Sequence, residues 1–147
     1  MVGMLNESIE KIASLAHEYF RDSYKKEEQK NASHTKTTTD KAWIEKHGTN
    51  IVDMVGTDYS HLPVDWQQER REGATIALNA LLLAIKAGQK LDNSFVEETA
   101  DLLHRRWLER NSSRASELHK LSYSALPEYH KEKDRYFVRA AMQVYPG

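Results

Sequence analysis

The stretch IEKIASLAHEYF at residues 9–20 reappears, without a gap, as VEETADLLHRRW at residues 96–107. Both segments begin with a branched aliphatic residue and share an alanine, a histidine and a final aromatic residue at the same positions. Their apolar residues recur at intervals of three and four, which is the spacing of a helix that buries one face. The pair therefore predicts two related amphipathic helices.

A second pair of matching segments follows each of these helices. The motif YSHLP at residues 59–63 matches YSALP at residues 123–127, and the register continues to Arg71 opposite Arg135. Proline is favoured in the first turn of a helix, so each motif predicts a turn that starts a further helix. Two matched blocks in the same order indicate an internal repeat.

The repeat predicts how the chain is organised. We expect a single domain over residues 1–147, with repeat copies at about 5–87 and 93–144. The connection between the matched blocks is longer in the first copy, which places an insertion at about 27–57. The fold class is mostly α, with two pseudo-symmetric helical hairpins and about four main helices, because two such hairpins can bury their apolar faces against each other.

Local signals predict where the elements begin and end. Asn6 is the expected N-cap of the first helix, and the sequence Ser94-Phe95-Val96-Glu97 resembles a capping box for the third. Inside the insertion, Asp40 can cap a short helix that Gly48 would end. A small β-ribbon can form from Thr35–Thr39 and Ile51–Val55. The main helices are expected at about 6–26, 64–87, 94–111 and from Pro127 onward.

Composition and charge exclude several classes of protein. The chain has no cysteine and a formal net charge of −1, divided between about −5 in residues 1–103 and +4 in residues 104–147. It therefore offers no disulfide, thiolate nucleophile or zinc finger, and no overall basic field for nucleic acid. Neither a leader sequence nor a long apolar segment is evident. We expect a cytoplasmic protein without a membrane or nucleic-acid partner and without a cofactor.

The C-terminal copy carries two spaced motifs: V-E-x-x-A-x-x-x-H-x-x-W at residues 96–107 and Y-S-x-L-P-x-x-x-K-x-x-D-R at residues 123–135. In these motifs it resembles the ryanodine-receptor (RyR) repeat domain. The N-terminal copy keeps His17 and Tyr59, but has Phe20 in place of the tryptophan and lacks the Lys/Asp pair. The resemblance implies paired helical hairpins in a small bacterial or phage protein with a binding or scaffolding role. It implies no reaction.

His17 and His104 are the first candidate site residues, because the repeat relates them. Each lies beside the apolar stripe of its helix, three residues before an aromatic side chain. They can be structural histidines bonded to a backbone carbonyl or a carboxylate near the hairpin junction. Alternatively, both rings can converge on one cleft between the copies, where they would bind an anion.

Tyr123, Lys131 and Arg135 form a second candidate group, a cationic-aromatic cluster near the start of the last helix. Cations beside a helix N-terminus suit a phosphate or carboxylate. The alternative is that Glu128 and Asp134 neutralise them.

Trp43 is the remaining candidate, because the insertion that carries it can fold over the repeat as a lid or an interaction surface. The alternative is a satellite cluster with no ligand. The spacing of the seven histidines supplies no metal motif, and no P-loop or nucleophile elbow is present.

The sequence therefore predicts a non-enzymatic binding or protein-interaction module. Its partner would be another protein or a small anionic, phosphate-bearing ligand held between the two copies, beneath the insertion. The alternative is a small hydrolase or transferase that uses His and Asp groups in the same cleft.

Overall fold

The structure is a computed structural model that describes residues 2–26, 34–113 and 115–145. It contains four long helices, one short helix and a two-stranded antiparallel sheet. The predicted fold class, mostly α with a small β-ribbon, is confirmed. The elements are α1 (Val2–Lys26), β1 (Thr35–Thr37), α2 (Lys41–His47), β2 (Ile51–Asp53), α3 (Val64–Lys86), α4 (Asn93–Asn111) and α5 (Glu128–Val144).

The four long helices bury one shared core. Helix α1 packs against α3 and α5, and α5 also packs against α3 and α4. Small and aliphatic side chains fill the centre, where alanines allow the helices to approach closely. The fully buried members include Ile12, Ala13, Ala74, Ala77, Leu81, Ala100, Ala140 and Ala141.

Two predicted helix starts are wrong. Helix α1 begins at Val2, so Asn6 lies inside the helix and is not its N-cap. Helix α4 begins at Asn93, and the side chain of Asp92 caps it by accepting a hydrogen bond from the backbone N–H of Phe95. The capping box does not form, because the carboxylate of Glu97 binds side chains of the C-terminal hairpin instead.

The short elements of the insertion form as their local signals predict. Asp40 caps α2, and Gly48 ends it in the left-handed conformation with φ near 70°. Strand β1 pairs with β2 in antiparallel register, with Lys36 opposite Val52. Asp40 also accepts a hydrogen bond of 2.9 Å from the backbone N–H of Val64. One carboxylate therefore caps α2 and joins the insertion to the first turn of α3.

Helices α3 and α5 each follow a single 3₁₀ turn and a proline. The turns are Tyr59–His61 and Tyr123–Ala125, and Pro63 and Pro127 are the N-caps of the two helices. The two helices meet at Gly73, where a Cβ atom would lie 2.8 Å from the ring of Phe137. Glycine is thus required in the middle of α3 to admit the aromatic ring of α5.

Gly73→Ala should destabilise the fold, although alanine is the better helix former by about 1 kcal/mol. The added methyl group would force the Phe137 ring to move, and overpacking of a core costs about 1–3 kcal/mol. Chemical denaturation of the single variant, of Phe137→Leu and of the double variant measures the coupling. In the Phe137→Leu background the same substitution should be neutral or stabilising. An equal cost in both backgrounds would contradict this assignment.

Candidate functional site

His17 and His104 are structural histidines, and their rings do not share a cleft. His17 is fully buried, and its Nε2 donates to the carbonyl oxygen of Thr57 at 2.8 Å. His104 is 5% exposed, and its Nε2 donates to the carbonyl oxygen of Leu121 at 2.7 Å. Each carbonyl lies two residues before the tyrosine of the following 3₁₀ turn. The first interpretation of this pair, a bond to a backbone carbonyl at the hairpin junction, therefore describes both residues.

The surroundings of His17 keep its imidazole neutral. Its Nδ1 accepts a hydrogen bond of 3.2 Å from Nε of Arg70, while its Nε2 carries the proton donated to Thr57. A second ring proton would point at the guanidinium. Burial, and then the charge of Arg70, lower the pKa of His17 to about 4.

The neutral His17 predicts a loss of stability in acid. Its pKa is about 4 in the folded chain and about 6.5 in the unfolded chain, so the unfolded state takes up a proton first as the pH falls. The contribution is complete above pH 6.5 and is lost between pH 6.5 and 4, to a total of about 3 kcal/mol. In His17→Gln, unfolding free energies measured by denaturant at several pH values should fall less steeply over that interval. An unchanged slope would contradict the assignment.

Tyr123 and Arg135 belong to a saturated network. Nε and Nη2 of Arg135 donate to the two carboxylate oxygens of Glu97, both at 2.7 Å, and the Tyr123 hydroxyl donates to Glu97 at 3.1 Å. Nη1 of Arg135 donates to Glu128 and Glu132, each at 2.8 Å. These hydrogen bonds, those from Arg135 first, lower the pKa of Glu97. Arg135 is therefore paired within the protein, as the alternative interpretation expected for Glu128, but its main partner is Glu97, and within the described residues Asp134 forms no ion pair with it.

The first half of the chain makes the same kind of contact. The Tyr59 hydroxyl donates to Glu10 at 2.6 Å, and Nη1 of Arg71 donates to Glu10 at 3.2 Å. Glu10 and Glu97 hold the same position in the matched sequence blocks. This arrangement ties the first helix of each hairpin to its turn and to its second helix, which is an architectural role.

Lys131 and Trp43 each contact residues of their own half of the chain. Lys131 is near Glu128 at 3.6 Å and over the ring of Tyr123 at 5.6 Å. Trp43 stacks on His47 with ring centroids 4.0 Å apart, and its Nε1 donates to the carbonyl of His61. The ring thus packs the insertion against the turn before α3. These contacts of Trp43 agree with the satellite cluster of the alternative interpretation.

A pocket of about 310 Å³ lies at the junction of the two halves, lined by residues of α1, α3, α4, α5 and the insertion. This is the place that the repeat predicted for a ligand. The insertion contributes through His34, Thr35 and Lys36, beside and within β1. Of the six residues proposed from the sequence, the pocket lining includes His104 alone.

Three cationic side chains line this pocket: Lys36, Arg70 and Lys133. Within the described ranges, none of them forms an ion pair with a carboxylate. Arg70 donates only to the neutral His17, and its guanidinium lies over the ring of Phe20 at 5.3 Å. Burial, and then the charges of Lys36 and Arg70, lower the pKa of Lys133. The pocket therefore concentrates positive charge that the described part of the chain does not pair with a carboxylate.

Aromatic and imidazole rings form the other part of the lining. Trp107, expected in the buried stripe of α4, is only partly buried and faces His119 with ring centroids 5.2 Å apart. His119 in turn packs edge-on against His130 at 4.8 Å. Burial and the neighbouring Lys133 lower the pKa of His130 to about 4 and also lower the pKa of His119. These rings offer hydrogen bonds without charge near neutral pH.

Asp134 is the carboxyl group in the pocket lining. Burial raises its pKa to about 8, against the opposing effect of Lys133. Asp134 directly precedes Arg135, just as Arg70 directly precedes Arg71, so the two residues hold matching positions in the two halves. At this matched position the first half presents a cation to the pocket, whereas the second half presents a carboxyl group beside its own cation, Lys133.

The sequence prediction missed Arg70, Lys133, Asp134, His119 and His130, although a signal was present. The matched residues Arg71 and Arg135 are identical, whereas the residues directly before them, Arg70 and Asp134, differ between the halves. Trp66 and His130 differ in the same way, four residues after the leucine of each turn. The unlike residues lie four apart in each helix. The matched register therefore places them on one helix face in each half, and that face lines the pocket.

The described residues contain no group of three or more His, Cys, Asp or Glu side chains arranged to hold a metal ion. Among the helices in the described part of the chain, none combines the length and the apolar character needed to cross a membrane. Comparison of the chain with protein-family models, curated proteins and solved structures found no match in any of the three.

Proposed function

We propose that the protein is a non-enzymatic binding module that holds a small anionic, phosphate-bearing ligand in the pocket between its two halves. One observation carries the proposal: Lys36, Arg70 and Lys133 line one cavity, and no described carboxylate forms an ion pair with them. Elsewhere the chain pairs its buried guanidinium groups, as Arg135 does with Glu97. Unpaired cations in a concave site suit an anionic ligand.

The size and position of the pocket agree with this proposal. A volume of about 310 Å³ lies at the lower end of the range for small-molecule sites. The lining combines cations with Phe20, Trp66 and Trp107, so a ligand would meet both charge and apolar surface. We also propose that the two halves are copies of one unit and that the chain is an RyR-like domain, for which a binding role is the expectation.

Binding without turnover is favoured over hydrolysis or group transfer. A histidine base is usually oriented by a carboxylate, and no histidine of the pocket contacts one within the described residues. Beside the pocket, Ser116 and His119 resemble a nucleophile and base, with Oγ and Nδ1 2.8 Å apart. However, Ser116 also accepts the backbone N–H of His119 and is absent from the pocket lining, which identifies a local turn contact.

Lys133→Met should remove most of the anion binding, whereas Lys131→Met should retain it. Both lysines lie on α5, but only Lys133 lines the pocket, and Lys131 is paired with Glu128. A hydrogen bond to a charged group contributes about 1.5–3 kcal/mol, so the loss should be roughly tenfold to hundredfold in affinity. Thermal unfolding with inorganic phosphate, pyrophosphate, sugar phosphates and nucleotides, at constant ionic strength, measures the effect.

Uncharged sugars and nucleosides are the matched ligand controls. A ligand at a hundred times its dissociation constant should stabilise the native chain by about 2.7 kcal/mol. Equal responses of the two lysine variants would place the anion outside this pocket. The absence of any stabilisation across the panel would refute the proposed ligand and leave protein interaction as the function to be tested.

A further inference from the structure

We propose that Asp134 binds the anion as a neutral carboxylic acid, so that its hydroxyl donates a hydrogen bond to the ligand and the complex keeps one proton on this carboxyl group. This inference rests on the proposed function and adds the protonation state of the site. It also specifies the ligand group at that point, an anionic oxygen that accepts a hydrogen bond and carries no proton of its own.

The first support is geometric. Asp134 lines the pocket from α5, at the position that Arg70 occupies on α3. Within the described ranges its carboxyl group forms no hydrogen bond and no ion pair, not even with Lys133 beside it in the chain. The other carboxylates of α5 behave differently, since Glu128 and Glu132 both pair with Arg135. A carboxyl group that faces a cavity unpaired is available to a ligand.

The second support is the set of groups around Asp134. Burial disfavours its charged form more strongly than the neighbouring cations favour it, which raises the pKa to about 8. It is therefore protonated near neutral pH in the empty pocket. The titratable and charged groups that face it or line the same pocket come from every adjacent element: His34, Lys36, Arg70, Asp101, His104, Arg110, His119, His130 and Lys133.

A bound anion would strengthen this preference. An anion beside a carboxylate repels it, whereas an anion beside a carboxylic acid accepts its proton in a short hydrogen bond. The pKa of Asp134 should therefore be higher in the complex than in the free protein. Above about pH 8 the free protein loses this proton and must regain it on binding. The affinity contributed by Asp134 then falls about tenfold per pH unit, since one proton is taken up.

Isothermal titration with inorganic sulfate tests this inference, because sulfate stays a dianion over the whole range and the ligand does not titrate. The measurement compares the full chain with Asp134→Asn and Asp134→Leu from about pH 7 to about pH 9.5. Asparagine is a neutral donor of similar shape, and leucine is neutral without a donor. Since Lys133 also titrates in alkali, the difference between Asp134→Asn and the unmodified chain isolates Asp134.

The expected result has two parts. Near pH 7, Asp134→Asn should bind sulfate within about threefold of the unmodified chain, while Asp134→Leu should bind it roughly tenfold more weakly. As the pH rises above 8, the unmodified chain should lose affinity more steeply than Asp134→Asn, by about one proton. Circular dichroism and thermal unfolding of both variants confirm that they fold.

Each contrary result overturns the inference. Parallel pH profiles for the unmodified chain and Asp134→Asn would show that Asp134 carries no proton in the complex. Binding at least tenfold tighter in both variants would identify Asp134 as a repelling carboxylate. If sulfate does not bind the unmodified chain, the inference fails, whereas the proposed function stands or falls with the phosphate-bearing panel and the Lys133→Met comparison.

Discussion

A hydrogen bond from a buried imidazole to a backbone carbonyl fixes each helical hairpin. His17 ties α1 to the segment before the first 3₁₀ turn, and His104 ties α4 to the segment before the second. The net energy of one such bond is only about 1 kcal/mol, but its loss would leave a buried donor and acceptor unpaired. Because the bond joins the first helix to the turn that starts the second, the direction of α3 and of α5 depends on it.

The imidazole of His17 also positions a cation in the lining of the pocket. Nδ1 of His17 accepts the Nε proton of Arg70, which holds the guanidinium across the ring of Phe20. In the second half, Asp134 occupies the position that matches Arg70. His104 therefore has no arginine in the place that Arg70 takes beside His17, and His104 lines the pocket itself. The two hairpins thus differ at the matched positions that face the pocket. That difference places an arginine on one side of the junction and a carboxyl group beside Lys133 on the other.

Residues that are alike in the two halves predict the fold, but they do not predict the lining of the pocket. The repeat relates His17 to His104, whereas Tyr123 and Arg135 belong to the cationic-aromatic cluster predicted beside the last helix. Both hairpins need the same bonds, so identity between the halves reflects architecture. The capping signals at Asp40 and Gly48 were reliable because those contacts are local. The capping box predicted with Glu97 does not form, because its carboxylate accepts a hydrogen bond from Arg135, a residue distant in the sequence.

Arg70 and Arg71, two neighbouring residues of α3, have different partners. Arg71 donates to Glu10, to Gln68 and to the Tyr59 hydroxyl, so its charge and its donors are used within the fold. Arg70, one residue earlier, faces the pocket, and burial without a carboxylate partner lowers its pKa to about 10. An unpaired buried cation opposes folding unless something compensates it. The contacts of Arg71 thus lie within its own hairpin. The charges of Arg70 and Lys133 are the ones that the proposed anionic ligand would compensate.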